Sequence, residues 1–232
     1  MRASKLLLVA MATVAVACST EQNSDEKDIA KIGSRISRET ADAMIGNVAG
    51  RQCEPEAYIY GKAMLQEILS VQGAEGIFIF NSLDNAGKTR LIFRPADATG
   101  DVVANTYAYD DGLPCPPTCP KENISSIGKI IEGAQAEEWI KSFQSANSNS
   151  AHSFLFGKDI FNQLLAQTGI AGIAFINGTK ASGQDALVLV GVTENGTMLW
   201  NSLIFDDSKV CPPDCPLPPP RGSGGGGWRK GG

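Results

Sequence analysis

Apolar residues fall along this chain in two rhythms. Ile36, Ala41, Met44, Ile45 and Val48 recur at helical spacing, and so do Met64, Leu65, Ile68 and Leu69, which predicts two short amphipathic helices. Gly73 is placed to end the second, because glycine takes the left-handed conformation at little cost. The rhythm then changes. Residues 77–81 (IFIFN) form a short continuous apolar run, fit for a strand near the middle of a sheet. Turn chemistry at Asp84-Asn85-Ala86-Gly87 leads to a second strand over 90–94, and Ala98-Thr99-Gly100 leads to a third over 102–109.

The same series is met again further along. Ile131, Ala136, Trp139, Ile140 and Phe143 repeat the first helical stripe, with Glu137-Glu138 in the first turns, where acidic side chains suit the helix dipole. Ile160, Phe161, Leu164 and Leu165 repeat the second, followed by Gly169 and by strands over 173–177 (IAFIN), 186–192 (ALVLVGV) and 197–205. Lys180-Ala181-Ser182-Gly183 supplies one turn, and Asn195-Gly196 predicts a type I′ hairpin for the other. A shift of 96 residues lays 61–120 over 157–216 without a gap, with 18 of 60 positions identical, against roughly one in sixteen for unrelated segments. With one residue of slack the first helices align as well. The expected fold is therefore α+β: two tandem repeats, 31–120 and 121–216, each two short helices followed by a three-stranded antiparallel meander. One unit alone has a single covered face. The two either pair edges into one shared sheet or pack back to back.

The segment before the first repeat carries an address. Arg2 and Lys5 precede a run of apolar and small residues over 6–17, far short of the roughly 18–20 needed to span a bilayer. Ala15-Val16-Ala17-Cys18 resembles the lipobox of bacterial lipoproteins. The resemblance implies removal of a signal peptide over 1–17 and lipidation of Cys18, with several acyl chains giving a stable anchor. Residues 18–30 then read as the lipidated cysteine and a polar tether, because 19–28 (STEQNSDEKD) has no apolar residue. Ser19 after the lipidated position favours the outer membrane by resemblance to known sorting, and the acidic 25–28 stretch resembles the surface-export signals of Bacteroidetes lipoproteins. Loss of Arg2 and Lys5 moves the formal charge from −5 to −7. An acidic envelope protein with scattered lysines has no electrostatic footprint for nucleic acid.

Each repeat closes on Asp-Asp and a cysteine pair: Asp110-Asp111 before Cys115-Pro116-Pro117-Thr118-Cys119, and Asp206-Asp207 before Cys211-Pro212-Pro213-Asp214-Cys215. These loops, with Phe156-Gly157-Lys158, Gly172-Ile173 and the LVLVGV strand over 187–192, resemble a group of uncharacterised Bacteroidetes proteins. The first repeat follows the pattern more loosely, with Arg94-Pro95 in place of Val-Gly. The likeness covers most of 131–216, and it implies localisation and fold relatedness without a chemistry.

For the cysteines several readings stand. Structural disulfides suit an oxidising space. A local Cys115–Cys119 loop would add only about 2 kcal/mol by chain entropy, and a bridge between repeats nearly 5. Two consecutive prolines favour an extended helix that holds the sulfurs apart, so local closure needs a turn at Pro117-Thr118 or a cis Pro116-Pro117 bond. Four thiolates from Cys115, Cys119, Cys211 and Cys215 would also suit zinc. A thioredoxin-like couple is disfavoured, since the spacing is one residue longer than C-x-x-C and no helix begins there. Cys53 is left as a buried or unpaired thiol.

Other chemistry is sparse. His152 is the single histidine, so histidine-dependent hydrolysis has little material. The Asp pairs read as turn chemistry before calcium ligands. Lys62 and Lys158 each follow a glycine outside any phosphate loop, and Asn-Gly-Thr at Asn177 and Asn195 matters only in a eukaryotic host. Residues 217–232 form a Pro/Gly-rich tail, expected to be disordered, that ends near Trp228-Arg229-Lys230. The expectation is a cell-envelope lipoprotein that is a binding or structural module and no enzyme. It has no cofactor, and its partners are the membrane through its lipid and an envelope protein or ligand. A redox or metal-binding protein using the four loop cysteines is the alternative.

Overall fold

The computed structural model describes residues 28–48, 57–115 and 123–212. In chain order the elements are β1 (Ser34–Arg35), α1 (Arg38–Gly46), β2 (Ala57–Gly61), α2 (Lys62–Leu69), β3 (Gly76–Leu83), β4 (Thr89–Ala96), β5 (Ala108–Asp110) and β6 (Leu113–Cys115). They continue with β7 (Lys129–Ile131), α3 (Gly133–Ala146), β8 (Ser153–Gly157), α4 (Lys158–Leu165), β9 (Ile170–Thr179), β10 (Asp185–Thr193), β11 (Ile204–Asp206) and β12 (Lys209–Cys211). The class is α+β, as expected, with four α-helices among the described residues. Of the two arrangements left open, one shared sheet or two packed layers, the structure has two sheets, though neither belongs to one half of the chain. Two separate antiparallel sheets form, in the orders β1-β11-β10-β9-β2-β6 and β12-β8-β3-β4-β5-β7.

Each sheet draws three strands from either half of the chain. The meander β9-β10-β11 of the second half lies between β1 and the β2-β6 pair of the first; the meander β3-β4-β5 lies between β7 and the β8-β12 pair of the second. Ladder positions correspond at a 96-residue offset: Gly61 faces Gly172 in one sheet, and Gly157 faces Gly76 in the other. Gly61 and Gly157 are glycine because backbone lies against them. A Cβ at Gly61 would sit 2.5 Å from the Ser125 carbonyl, and one at Gly157 would sit 2.2 Å from that of Ala30. In both places a short 3-10 turn (Ile29–Lys31, Ile124–Ser126) is held against the strand end, with Gly61 N–H donating to Ile127 O and Gly157 N–H to Ile32 O.

Alternation sorts the strand side chains into three cores. Ile77 and Ile79 of β3 face the space between the sheets, with Phe93, Phe154, Phe175 and Leu189, while Phe78 and Phe80 face outward. The sheets touch through Phe93, whose ring centroid is 4.4 Å from Tyr60 and 5.0 Å from Phe175. Helices α2 and α4 bury Leu65, Ile68, Phe161 and Leu164 in this inner core. Helix α1 sets Met44 and Ile45 on the outer face of the first sheet, and α3 sets Trp139 and Ile140 on that of the second.

Several expected elements are redrawn. Strands β2 and β8 were not expected, because AYIYG and SFLFG run straight into a helix and look like its approach. The third meander strand is confined to β5 and β11, with only isolated bridges at Val102 and Met198. The turn at Asn195-Gly196 is not type I′. Gly196 has φ 82° and Asn195 stays on the negative side; Gly196 N–H bonds Thr193 O and Thr193 N–H bonds Thr197 O. That is a type I turn closed by a left-handed glycine, and the turns at Gly87, Gly100 and Gly183 repeat it. The four edge strands, β1, β6, β7 and β12, are only two or three residues long, which leaves little open ladder for another chain to pair with.

Candidate functional site

At two tight corners one strand of the chain leads directly from one sheet into the other, and both lie where the sequence places Asp-Asp before a cysteine. After β5 it leaves the second sheet at Asp110 and enters the first at Leu113; after β11 it leaves the first at Asp206 and enters the second at Lys209. The second aspartate makes the bend. Asp111 and Asp207 have φ of 71° and 63°, a region that Asp tolerates better than most residues. Both reach outward to cations: Asp111 is 2.9 Å from Lys129 Nζ and Asp207 is 2.8 Å from Lys180 Nζ. Ser34 Oγ of β1 also donates to Asp207.

The first aspartate of each corner is buried, Asp110 at 2% and Asp206 at 0% exposure. Their surroundings differ. The Tyr60 hydroxyl lies 2.9 Å from Asp110 Oδ1 and 2.9 Å from Leu91 O. Burial pushes the Asp110 carboxyl above the usual range against the pull of Tyr60 and Arg90, and burial with Asp110 beside it holds the Tyr60 hydroxyl well up. Nearby Tyr58, pushed up to about 12 by burial, reaches Thr89 O at 2.5 Å. At the other corner Phe156 stands at the place corresponding to Tyr60 and brings no hydroxyl. Neither carboxylate oxygen of Asp206 nor the Ser208 Oγ makes a hydrogen bond of good geometry; the Asp207 and Leu187 backbone stands near the carboxyl, and Lys180 Nζ is 3.6 Å from Asp206 Oδ2. Burial raises the Asp206 carboxyl as well, opposed by the Asp207 and Leu187 backbone and by Lys180.

Beyond each corner comes a cysteine. Cys115 ends β6 opposite Ala57, and Cys211 ends β12 opposite Ser153. Cys115 packs into the outer core of the first sheet and Cys211 into that of the second. Both are disulfide-bonded. Cys18, Cys53, Cys119 and Cys215 lie outside the described residues, as do the signal segment, the tether, most of both Cys-Pro-Pro-x-Cys loops and the tail. Among the described residues no group of three or more His, Cys, Asp or Glu is placed to hold a metal, and no helix is long and apolar enough to cross a membrane.

The remaining candidates resolve into structural roles. His152 is a splice point: its N–H donates to Cys211 O at 2.7 Å and its carbonyl accepts from Asn81 N–H. Lys62 Nζ caps the end of α4 at Leu165 O, 2.7 Å away, while Lys158 pairs with Glu75. Asn177 lies in β9 and Asn195 in a turn. A shallow polar groove of about 470 Å³ runs past Asn149, Ser150, Gln184, Asp185 and Pro212, beside Cys211. The Tyr60–Asp110 pair was missed from sequence. Its signal was the 96-residue alignment itself, which sets Tyr60 against Phe156 and Gly112 against Ser208. No family model, curated protein or solved structure matches the chain.

Proposed function

We propose that this chain is an exported lipoprotein of the Bacteroidetes group it resembles, anchored in the envelope through Cys18. Its folded part is a non-enzymatic structural or binding module. The module is a duplicated unit, two tandem repeats over 31–120 and 121–216 that interlock by exchanging strands. Its Cys-Pro-Pro-x-Cys loops, Cys115 with Cys119 and Cys211 with Cys215, are disulfide clasps.

The observation that carries this reading is the place of Cys115 and Cys211. Each terminates an edge strand, one in either sheet, directly after a corner, and each is oxidised. A disulfide at the end of a short edge strand suits a clasp that protects the sheet edge. The matching order of elements, whose starts lie 94 to 96 residues apart, supports duplication.

Two measurements test the proposal. Denatured, unreduced mature protein is expected to block four thiol labels that reduction restores. Full labelling without reduction, or zinc in the native mass, would count against the clasps. In cells, Cys18→Ser is expected to shift the protein from the membrane to the soluble fraction, and an unchanged membrane fraction would refute the anchor.

A further inference from the structure

The ladder between β4 and β5 stops short at the first corner, and a buried hydroxyl takes over where it stops. Its one rung sets Phe93 against Tyr109. Two residues further along each strand the next rung would set Leu91 against Asp111, but Asp111 turns the chain away with φ 71°. The Tyr60 hydroxyl stands in for the missing ladder donor, 2.9 Å from Leu91 O. The same oxygen lies 2.9 Å from Asp110 Oδ1. A hydroxyl has one proton, and here two acceptors claim it. Tyr60, Leu91 and Asp110 are all buried, so an acceptor left bare finds no bulk water to turn to.

A second proton, on the carboxyl, resolves the conflict. Asp110 then donates to Tyr60 Oη, Tyr60 donates to Leu91 O, and each group in the chain is satisfied. We propose that Asp110 is a carboxylic acid in the folded protein at neutral pH, and that its proton latches the corner that delivers β6 to the first sheet. Burial, with Asp110 beside it, holds the Tyr60 hydroxyl well up, so Tyr60 keeps its own proton.

The groups around the carboxyl fit this state. Tyr60 and Tyr58 of β2 bring hydroxyls, and Glu67 of α2 meets the hydroxyl of the preceding Tyr109. Arg90 of β4 favours the charged form, but its Nε is bonded to Asp84 at 3.2 Å, and Lys129 of β7 is paired with Asp111. The Gly112 N–H comes only to 3.5 Å from Oδ1, longer than a normal bond, and the carbonyl oxygen of an acid serves the Asp111 N–H as well as a carboxylate would. The second corner is built otherwise: Phe156 brings no hydroxyl, and Asp206 faces Lys180 Nζ at 3.6 Å.

Loss of the proton restores the conflict. The carboxylate then takes the Tyr60 proton, Leu91 O is left bare, and the corner loosens. Strand β6 is three residues long and pairs with β2 alone, so it is the element released. Unfolded Asp110 gives up its proton above the ordinary 3.8, so folding takes one up, and stability falls as pH rises from there to the folded value.

The test uses the full mature chain with isotope-labelled aspartate, the Asp110 carboxyl resonance being identified by its loss in Asp110→Asn. At neutral pH that resonance is expected at the position of a protonated acid, and a carboxylate position overturns the proposal. Asp110→Asn, whose amide donates to Tyr60 in the acid's place, is expected to raise the folding constant about tenfold or more at neutral pH, a gain that closes as pH falls toward about 4. A lower folding constant is the outcome for a charged acceptor and also overturns the proposal. Hydrogen-exchange protection, in which the base-catalysed intrinsic rate cancels, reads the latch. Above neutral pH the β6 amides are expected to lose protection in wild type and keep it in Asp110→Asn, with β12 amides unchanged in both. Protection in β6 that follows β12 across the range overturns the latch.

Discussion

The buried corners can be exchanged for one another, and the exchange has a computable cost. At the first corner Tyr60 points its hydroxyl at Asp110 and Gly112 lies beneath its ring. A Cβ at Gly112 would come within 2.2 Å of Tyr60 Cζ, so a tyrosine there demands a glycine. At the second corner the corresponding residues are Phe156 and Ser208, so a serine stands at the position where glycine makes room for the hydroxyl at the first. Phe156 and Asp206 are close, since a Cβ at Gly33 would stand 3.2 Å from the ring and 3.3 Å from the Asp206 carbonyl. Phe156→Tyr alone is therefore expected to destabilise the fold by about 1–3 kcal/mol through overpacking against Ser208. Ser208→Gly alone removes a buried hydroxyl without a partner but loosens the unfolded chain, for a net loss of about 0.5–1 kcal/mol at most. Together they let the new hydroxyl reach Asp206, a bond to a charged acceptor worth about 1.5–3 kcal/mol. The double variant should be at least as stable as wild type, with a favourable coupling of about 2 kcal/mol or more. Denaturant unfolding of the four proteins at neutral pH measures the cycle. Additivity within about 0.5 kcal/mol would refute the claim that the two corners are alternative packings of one site.

Other consequences follow from the same geometry. For Asp206 the folded-state carboxyl is raised above 3.8, with burial the leading cause. Its contribution is then fully favourable below 3.8 and is lost as pH rises through the folded value. Asp206→Asn is accordingly expected to stabilise the protein at neutral pH, by a margin that shrinks as pH falls toward 4; a margin independent of pH in denaturant titrations would contradict this. Gly157→Ala drives a methyl to 2.2 Å from the Ala30 carbonyl and should cost about 3 kcal/mol or more, or abolish folding. Gly46→Ala in α1 meets nothing within 4 Å and should stabilise by about 0.5–1 kcal/mol. Thermal melts of the two alanine variants separate these outcomes. Lys62→Met removes the cap on Leu165 O and should cost about 1 kcal/mol, read as a lower denaturation midpoint at unchanged slope.

The sequence spoke clearly wherever structure is local. Met64, Leu65 and Ile68 announce α2 by spacing, and 77–81 and 186–192 announce central strands by unbroken apolar runs. The expected turn chemistry of the corner aspartates is visible in Asp111 and Asp207, which adopt the left-handed conformation that Asp tolerates. The Asn195-Gly196 turn failed for a specific reason. A dipeptide fixes where φ turns positive only together with the length of its loop, and here a third residue takes the bend, leaving Gly196 alone in the left-handed region. Strands β2 and β8 were hidden because neither is stabilised by anything near it in sequence; each lies between a strand of the other half and a distant strand of its own.

That last point explains why the number of sheets stayed open as well. Periodicity along one chain records which face of a strand is buried, and 77–81 or 173–177 would look the same in a shared sheet or in two. What separates the arrangements is the company of β2 and β8. Had each stayed with its own meander, Gly61 and Gly157 would have no reason to be glycine, since the 3-10 turns that press on them arrive beside the partner half's strands: Ile127 binds Gly61 at the β2–β9 ladder, and Ile32 binds Gly157 at the β8–β3 ladder. The identity of those two glycines at an offset of 96 was visible from the start. It marked the junction where the halves interlock. Its meaning rested on a backbone approach that only the paired ladders reveal.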